Sequence, residues 1–445
     1  MSRLAPSLRS AGTVLGVLSA MALVVLDAGV ANVALPTIGR ALDVTPSKSV
    51  LVITAYQAGL VMALLPCGAL GERFGFRRVF TVGVATFAAA SVFCAAAPSL
   101  DWLVAARLVQ GIGGAAVMAL GVALLRLAVP SGRLGEAIGW NALTVAIASA
   151  AAPGLGAIIL SQASWPWIFA APLPLAIMAL AATRAMPASP GANAPLDPIS
   201  MALNAGMFAL LILSAEIGAG APLFAATSFV FAATCLAVLV RREGEKHAPM
   251  FPLDLLRAKP FRMSVFASVS CFTAQSAGLL ALPFYLQHEL QLTPLMTGLY
   301  LTPWPMSVAA TAVVAGRLSD RVSTSTLCVI GGFGLSVGLM GAAVSALLHQ
   351  PPALVASIVL CGFGFGLFQT PNNRNMFMSA PPERSGAAGG MQGTARVTGQ
   401  ITGALMMTLL FSLSVVDAPK VGLALAASFA LAAGLLSFHP ATSPK

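Results

Sequence analysis

Charge is what this 445-residue chain has least of. Only 9% of its residues are Asp, Glu, Lys or Arg, against about 25% in soluble domains, and 58% are hydrophobic. A water-soluble globule is excluded. Histidine is nearly absent too: His247, His288, His349 and His439 are scattered among loops, which leaves no cluster for general acid–base chemistry and argues against an enzyme. The six cysteines (Cys67, Cys94, Cys235, Cys271, Cys328 and Cys361) sit inside apolar runs without CxxC spacing. They form neither a disulfide framework nor a metal site and read as small packing residues. No GxxxxGK[ST] phosphate loop occurs, so ATP coupling is not encoded in this chain and no cofactor is expected. Polar stretches stay below roughly 25 residues, too short for a soluble domain or for the sensing domain of a receptor.

What is present is apolar sequence in long runs, with a mean hydropathy of +0.89. Runs of roughly 20 residues, enough to cross about 30 Å of hydrocarbon, fall near 12–38, 49–70, 79–98, 102–126, 136–160, 165–184, 198–217, 222–240, 262–287, 295–317, 325–348, 352–373, 385–413 and 419–438. The pattern predicts an all-α polytopic membrane protein with fourteen spans, the pair around 198–240 being the one to drop if the count is twelve. The start, where Arg3 and Arg9 precede an apolar stretch, resembles a secretory leader. The run continues unbroken through Leu35 with Asp27 beside the small-residue patch, so it is read as a first span.

The excess of 24 Lys and Arg over 14 Asp and Glu would suggest nucleic acid in a soluble domain. Here it reads as topology. With the N-terminus inside, eighteen basic residues lie in cytoplasmic segments, three (Arg40, Lys48 and Lys420) in outer ones, and Arg107, Arg374 and Arg396 within or at the edge of spans. The positive-inside rule then predicts both termini cytoplasmic, with the lipid bilayer and no nucleic acid as partner.

Two pairs of segments repeat. GALGERFGFRR (Gly68 to Arg78) matches AGRLSDR (Ala315 to Arg321), with Glu72 and Asp320 248 residues apart. PSGRLGEA (Pro130 to Ala137) matches PERSGAA (Pro382 to Ala388), with Arg133 and Arg384 251 apart. Matching offsets predict two homologous halves, an N-terminal six-helix bundle at 1–184 and a C-terminal one at 262–445. Linkers and an inserted helix pair at 185–261 separate them.

These residues resemble the major facilitator superfamily, and within it the fourteen-span drug:proton antiporters. The first-half loop is similar to that superfamily's GxLxDRxGxR signature, with Glu72 in place of the usual Asp. RLVQGIGGA (Arg107 to Ala115) is similar to RxxQGxGxA, and LDAGVANVALP (Leu26 to Pro36) to LDxTIVNVALP. WPWIF (Trp165 to Phe169) and GMQGTARVTGQITGAL (Gly390 to Leu405) fit as well. The antiporter motif of span five departs from its usual form: SAAAPGLGA has Ala152 before Pro153, with glycines at 154 and 156. Small residues still permit close packing there, and Pro153, with Gly154 and Gly156, a bend. The resemblance implies a major facilitator fold in a cytoplasmic inner membrane, a monomer, and proton-coupled export of lipophilic cationic or amphiphilic drugs driven by the proton motive force. The alternative is transport of an endogenous metabolite such as an amino acid or organic anion.

Ionisable groups inside a bilayer cost about 2.5–3.5 kcal/mol each on insertion scales and so point to function. Asp27 lies about 22 Å from the inner surface along span one and Arg107 about 21 Å along span four, at 1.5 Å per residue. Their depths match. Two readings stand: a carboxylate alternating between proton and substrate under the control of Arg107, or a static pair holding two spans together. Arg396 is mid-membrane and fits either an anion contact or a tether; Arg374 reads as interfacial. Glu216, near the outer end of span seven, reads as an interfacial carboxylate or a second cation contact. Asn32, Tyr56, Gln57, Gln110, Gln275, Tyr300 and Trp304 are candidate cavity-lining residues, three Tyr and five Trp in all being too few for a dense aromatic cage. A cytoplasmic gate is expected at Gly71, Glu72, Arg73, Gly75, Arg77, Arg78, Asp320 and Arg321, or these arginines only enforce topology.

Overall fold

The structure is a computed structural model that describes residues 4–130, 134–187, 196–217, 221–244, 255–319, 321–348, 351–380, 385–413 and 417–438. Every regular element among them is helical. In chain order these are α1 (Leu4–Ala41), α2 (Pro46–Phe74), α3 (Phe76–Ala95), α4 (Leu100–Ala128), α5 (Leu134–Gln162), α6 (Trp167–Ala170), α7 (Leu173–Ala182), α8 (Pro198–Ile217), α9 (Pro222–Gly244), α10 (Lys259–Phe284), α11 (Pro294–Leu301), α12 (Pro303–Leu318), α13 (Thr324–Leu347), α14 (Pro351–Met378), α15 (Ser385–Ser412) and α16 (Ala418–Leu436). All-helical architecture follows from the solvent, since a lipid-facing backbone must satisfy its own hydrogen bonds.

Local chemistry sets the helix ends. Proline occupies the first turn of α2, α10, α11 and α16, where its missing N–H would have had no partner anyway. Ser99 and Ser323 cap α4 and α13 by accepting from the backbone N–H of Trp102 and Thr326. Asp197 caps α8 by accepting from the N–H groups of Ile199 and Ser200, each at 3.1 Å, and also pairs with Arg242 of α9 at 3.2 Å. Gly75 separates α2 from α3 at φ 95°, a conformation costly for other residues, while its N–H bonds the Gly71 carbonyl.

The expected count of fourteen spans requires correction. Eleven helices among the described residues are long and apolar enough to cross a membrane. The other three candidate regions are not among them. In α8 the described apolar stretch is Pro198–Ser214, the side chains that follow lying outside the described residues. The run at 295–317 breaks between α11 and α12, where Pro303 and Pro305 follow Thr302, each lacking the N–H that would continue the ladder. In α15, Gln, Thr, Gly and Arg lower the hydropathy of a helix long enough to span.

Packing brings α1 against α5 and α7, and α4 against both α2 and α3. Further along the chain, α10 packs on α15 and α16, and α14 on α12 and α13. Contacts between these sets run through α2 with α15, α5 with α11 and α12, and α1 with α10. The α8–α9 pair sits outside α2, with Asn204 donating to the Met62 carbonyl. On α9, Leu223, Phe224, Val230 and Phe231 are exposed, as lipid-facing side chains are.

Candidate functional site

Asp27, the acid singled out by depth, is buried against α4. Arg107 Nη1 donates to Asp27 Oδ2 at 2.5 Å, and Gln110 Nε2 donates to Asp27 Oδ1 at 2.9 Å. Arg107 and Gln110 are three residues apart on α4 and therefore share a face, so one helix supplies both partners. Arg107 Nη1 also donates to Gln110 Oε1 at 2.7 Å, and its Nε to the Val52 carbonyl of α2 at 3.1 Å. Ser91 of α3 extends the network by accepting from Gln110 Nε2 at 2.8 Å. Four helices thus converge on one carboxylate.

This cluster is closed to water: Asp27 is 2% exposed, Arg107 and Gln110 0%. The Arg107 guanidinium lies 4.3 Å from the ring centroid of Tyr56 and 5.4 Å from that of Phe169, so the pair is screened by aromatic faces that favour a cation. Its Nη2 has no hydrogen-bond partner. In a medium of low dielectric such a pair is held strongly while both charges are present, and is strongly destabilised when one of them is neutralised.

Small residues create the proximity. Gly59 of α2 lies over the backbone of Leu108 and Ile112, and Gly111 of α4 over that of Tyr56 and Leu60. Gly113 packs on the backbone of Phe87. The glycines of RLVQGIGGA therefore serve close helix approach. Gly156 acts likewise in α5, meeting Val30 of α1, and Gly298 of α11 lies over the Pro153 carbonyl, whereas Gly154 has only the Thr302 hydroxyl near it.

Of the expected site residues, the structure brings Asp27, Arg107, Gln110 and Tyr56 together. Arg396 reaches from α15 to the sulfur of Met118 on α4 at 3.3 Å and lies within electrostatic reach of Tyr56. Trp304 is buried beside Gly278 with its indole N–H unpartnered. Asn32, Gln57, Gln275 and Tyr300 are half-buried on α1, α2, α10 and α11, and none joins the Asp27 network. Arg374 is half-buried on α14. The Glu216 side chain and Asp320 lie outside the described residues. In the expected gate, Gly71 packs on Leu120 and Phe76, Arg77 donates to the Met186 carbonyl at 3.2 Å, and Glu72, Arg73, Arg78 and Arg321 are exposed.

Sequence reasoning missed Gln287. It lies in a π-helical turn, Tyr285–Glu289, that continues α10, and it is 1% exposed. Its Oε1 accepts from Thr37 at 3.3 Å and from Arg40 at 3.2 Å, and its Nε2 donates to the Val33 carbonyl at 3.0 Å. Nearby, Lys420 of α16 pairs with Glu289 and Asp417, each at 2.7 Å. One glutamine thus ties the end of α1 to the end of α10. In Gln287→Ala, spin labels at Lys48 and His288 should gain a longer-distance population in double electron–electron resonance. An unchanged distribution would show that these bonds do not hold the two ends together.

With this geometry in view, comparison with known proteins places the chain. The family model described as Major Facilitator Superfamily matches residues 17–404. The chain belongs to that superfamily of transporters. The transporter is 40% identical over 443 residues to the protein named uncharacterized transporter YebQ of Escherichia coli strain K12, covering 98% of this chain and 96% of that one. It is 28% identical to riboflavin transporter RibZ of Clostridioides difficile, over 83% and 81% of the two chains. It is 29% identical to multidrug efflux pump LfrA of Mycolicibacterium smegmatis, over 88% and 78%. A solved structure titled as a partially occluded inward-open conformation of the xylose transporter XylE from E. coli aligns with TM-score 0.67 at 14% identity, covering 98% of this chain and 99% of that one. That likeness shows the fold of the transporter.

Proposed function

We propose that this transporter is a proton-coupled exporter of amphiphilic, drug-like small molecules in a cytoplasmic membrane, working by alternating access. The observation that carries the reading is the sealed Asp27–Arg107 pair, held by four helices. A proton arriving at Asp27 cancels its charge, leaves Arg107 unmatched in a dry site, and so favours rearrangement of the surrounding helices. Relatives named as a multidrug efflux pump and a riboflavin transporter support amphiphilic aromatic cargo. The exposed arginines at 73, 78 and 321 provide groups for a latch formed only when that end closes.

The energetics are adequate. One proton moved through about 100 mV gains about 2.3 kcal/mol, and one pH unit adds about 1.4 kcal/mol. Exchange of one proton for one monovalent cation cancels the voltage contribution and leaves the pH gradient as the driving force.

Purified transporter in proteoliposomes with an acidic lumen should take up ethidium, rhodamine 123 or fluorescein until nigericin dissipates the gradient. Uptake of all three that is indifferent to nigericin, or no uptake of any under a stable gradient, would reject the reading. Within it, Arg73→Ala and Arg321→Ala should slow turnover more than they weaken dye binding. Unchanged turnover in both would remove the latch role.

A further inference from the structure

Among the described residues, Arg396 is an interior cation that the Asp27 network does not use. Arg396, on α15, sits where that helix packs on α2: its neighbours Val397 and Ile401 belong to the same buried cluster as Tyr56, Leu60 and Leu64. Its guanidinium touches the sulfur of Met118, a weak acceptor, while its Nε is buried without a hydrogen-bond partner. No described carboxylate forms an ion pair with it, and Asp27 is already committed to Arg107 and Gln110. On α2 the Tyr56 hydroxyl, within electrostatic reach of Arg396, also lacks a partner.

Guanidinium groups do not lose their proton in proteins. Arg396 is half-buried on α15 with its Nε sealed off; a charge among apolar helices without a counter-charge is costly, and its five donors in a planar fork match a carboxylate or a phosphate. Among the described residues no carboxylate fills that fork. We propose that Arg396, with the Tyr56 hydroxyl as a second donor, forms a subsite for the anionic group of an amphiphilic substrate. Preferred cargo then carries a carboxylate or comparable oxyanion on an apolar or aromatic body, and Met118 and Leu64 contact that body. The Asp27–Arg107 pair keeps its charges balanced and plays no part in this recognition. The inference rests on the reading of the interior as a substrate path, and a binding measurement separates the two.

Fluorescein and rhodamine 123 share a xanthene scaffold and differ in the sign of their charge. Fluorescence polarisation with the purified full-length transporter in detergent should show tighter binding of fluorescein. Arg396→Gln should weaken fluorescein about tenfold, the scale of one charge-assisted contact, while rhodamine 123 holds or gains. Arg396→Lys should retain part of the preference. Met118→Glu keeps the arginine but places a carboxylate against it, and should reverse the order of the two dyes. This second variant decides the matter if Arg396→Gln does not fold. Absence of fluorescein binding by the wild type, or a fluorescein preference that survives both Arg396→Gln and Met118→Glu, overturns the subsite. A preference that depends on Arg396 in a protein that moves no dye under a pH gradient would establish the subsite and reject proton-coupled export.

Discussion

Asp27→Asn should abolish pH-gradient-driven dye movement while leaving dye binding within a few-fold of wild type. Asparagine fills nearly the same volume, but its single carbonyl oxygen can replace only one of the two carboxylate acceptors, so its amide nitrogen faces the donor of Gln110 or Arg107 and the change removes a charge together with one hydrogen bond. With Arg107 at 0% exposure, removing its counter-charge should also lower stability by up to about 3–5 kcal/mol, the usual result of breaking a buried pair. The rings of Tyr56 and Phe169 offset part of that loss by about 1–2 kcal/mol. Stability alone would not separate proton coupling from a static tether between α1 and α4. The double variant Asp27→Asn/Arg107→Gln does. With both charges gone, stability should return toward wild type whichever role the pair plays. Under the coupling reading, gradient-driven transport stays lost because no proton acceptor remains. Recovery of transport in the double variant would identify the pair as structural.

Much of this site was legible because depth in a membrane is a one-dimensional quantity. Counting residues along two helices of opposite direction was enough to place Asp27 and Arg107 level with each other, and the structure joins them at 2.5 Å. Gln110 was expected only to line a cavity; the structure places it three residues from Arg107 on the same face of α4, donating to Asp27. What surrounds them was not legible. Ser91, Val52 and Phe169 come from α3, α2 and α6, and nothing in the periodicity of those helices marks which side chain will face α4. Gln287 lies about 250 residues from its partners Thr37 and Arg40, in a turn whose sequence, YLQHE, carries no recognisable signature.

The span count went astray for the same reason. Hydropathy registers composition, whereas the interruption after Leu301 is a matter of backbone geometry at a Pro-Trp-Pro sequence. The low hydropathy of α15 reflects packing against protein: Gly399 lies over the backbone of Val269 and Thr273 in α10, and Gly403 over that of Thr273 and Ala277. A helix covered by neighbours has no need of lipid-soluble side chains on every face. The small residues of SAAAPGLGA were expected to allow close packing, whereas the glycines of RLVQGIGGA entered only as part of a motif; the partners of both needed three dimensions.

Those partners lead to the second large effect, Gly111→Ala. A Cβ at this position would fall on the carbonyl oxygen of Tyr56 and come within about 3 Å of the Leu60 nitrogen. Both are backbone atoms of α2, which no rotamer change can move aside. The helices must separate, at an overpacking cost of about 1–3 kcal/mol or more, which outweighs the ~1 kcal/mol that alanine gains over glycine in a helix. Gly68→Ala is the control on the same helix pair: it lies in α2, and a Cβ there has no neighbour within 4 Å, so only the propensity gain applies. In detergent-solubilised protein, Gly68→Ala should melt at or above the wild-type temperature, and Gly111→Ala several degrees below it. Equal melting temperatures would mean that α2 and α4 are not in backbone contact. The consequence reaches the site, because α2 supplies both the Val52 carbonyl that receives Arg107 Nε and the Tyr56 ring beneath the guanidinium. Moving α2 outward lengthens both contacts and admits water to Arg107, which weakens its hold on Asp27. Gly111→Ala should therefore lose gradient-driven transport even at temperatures where it remains folded, although its added methyl group contacts neither Asp27 nor Arg107.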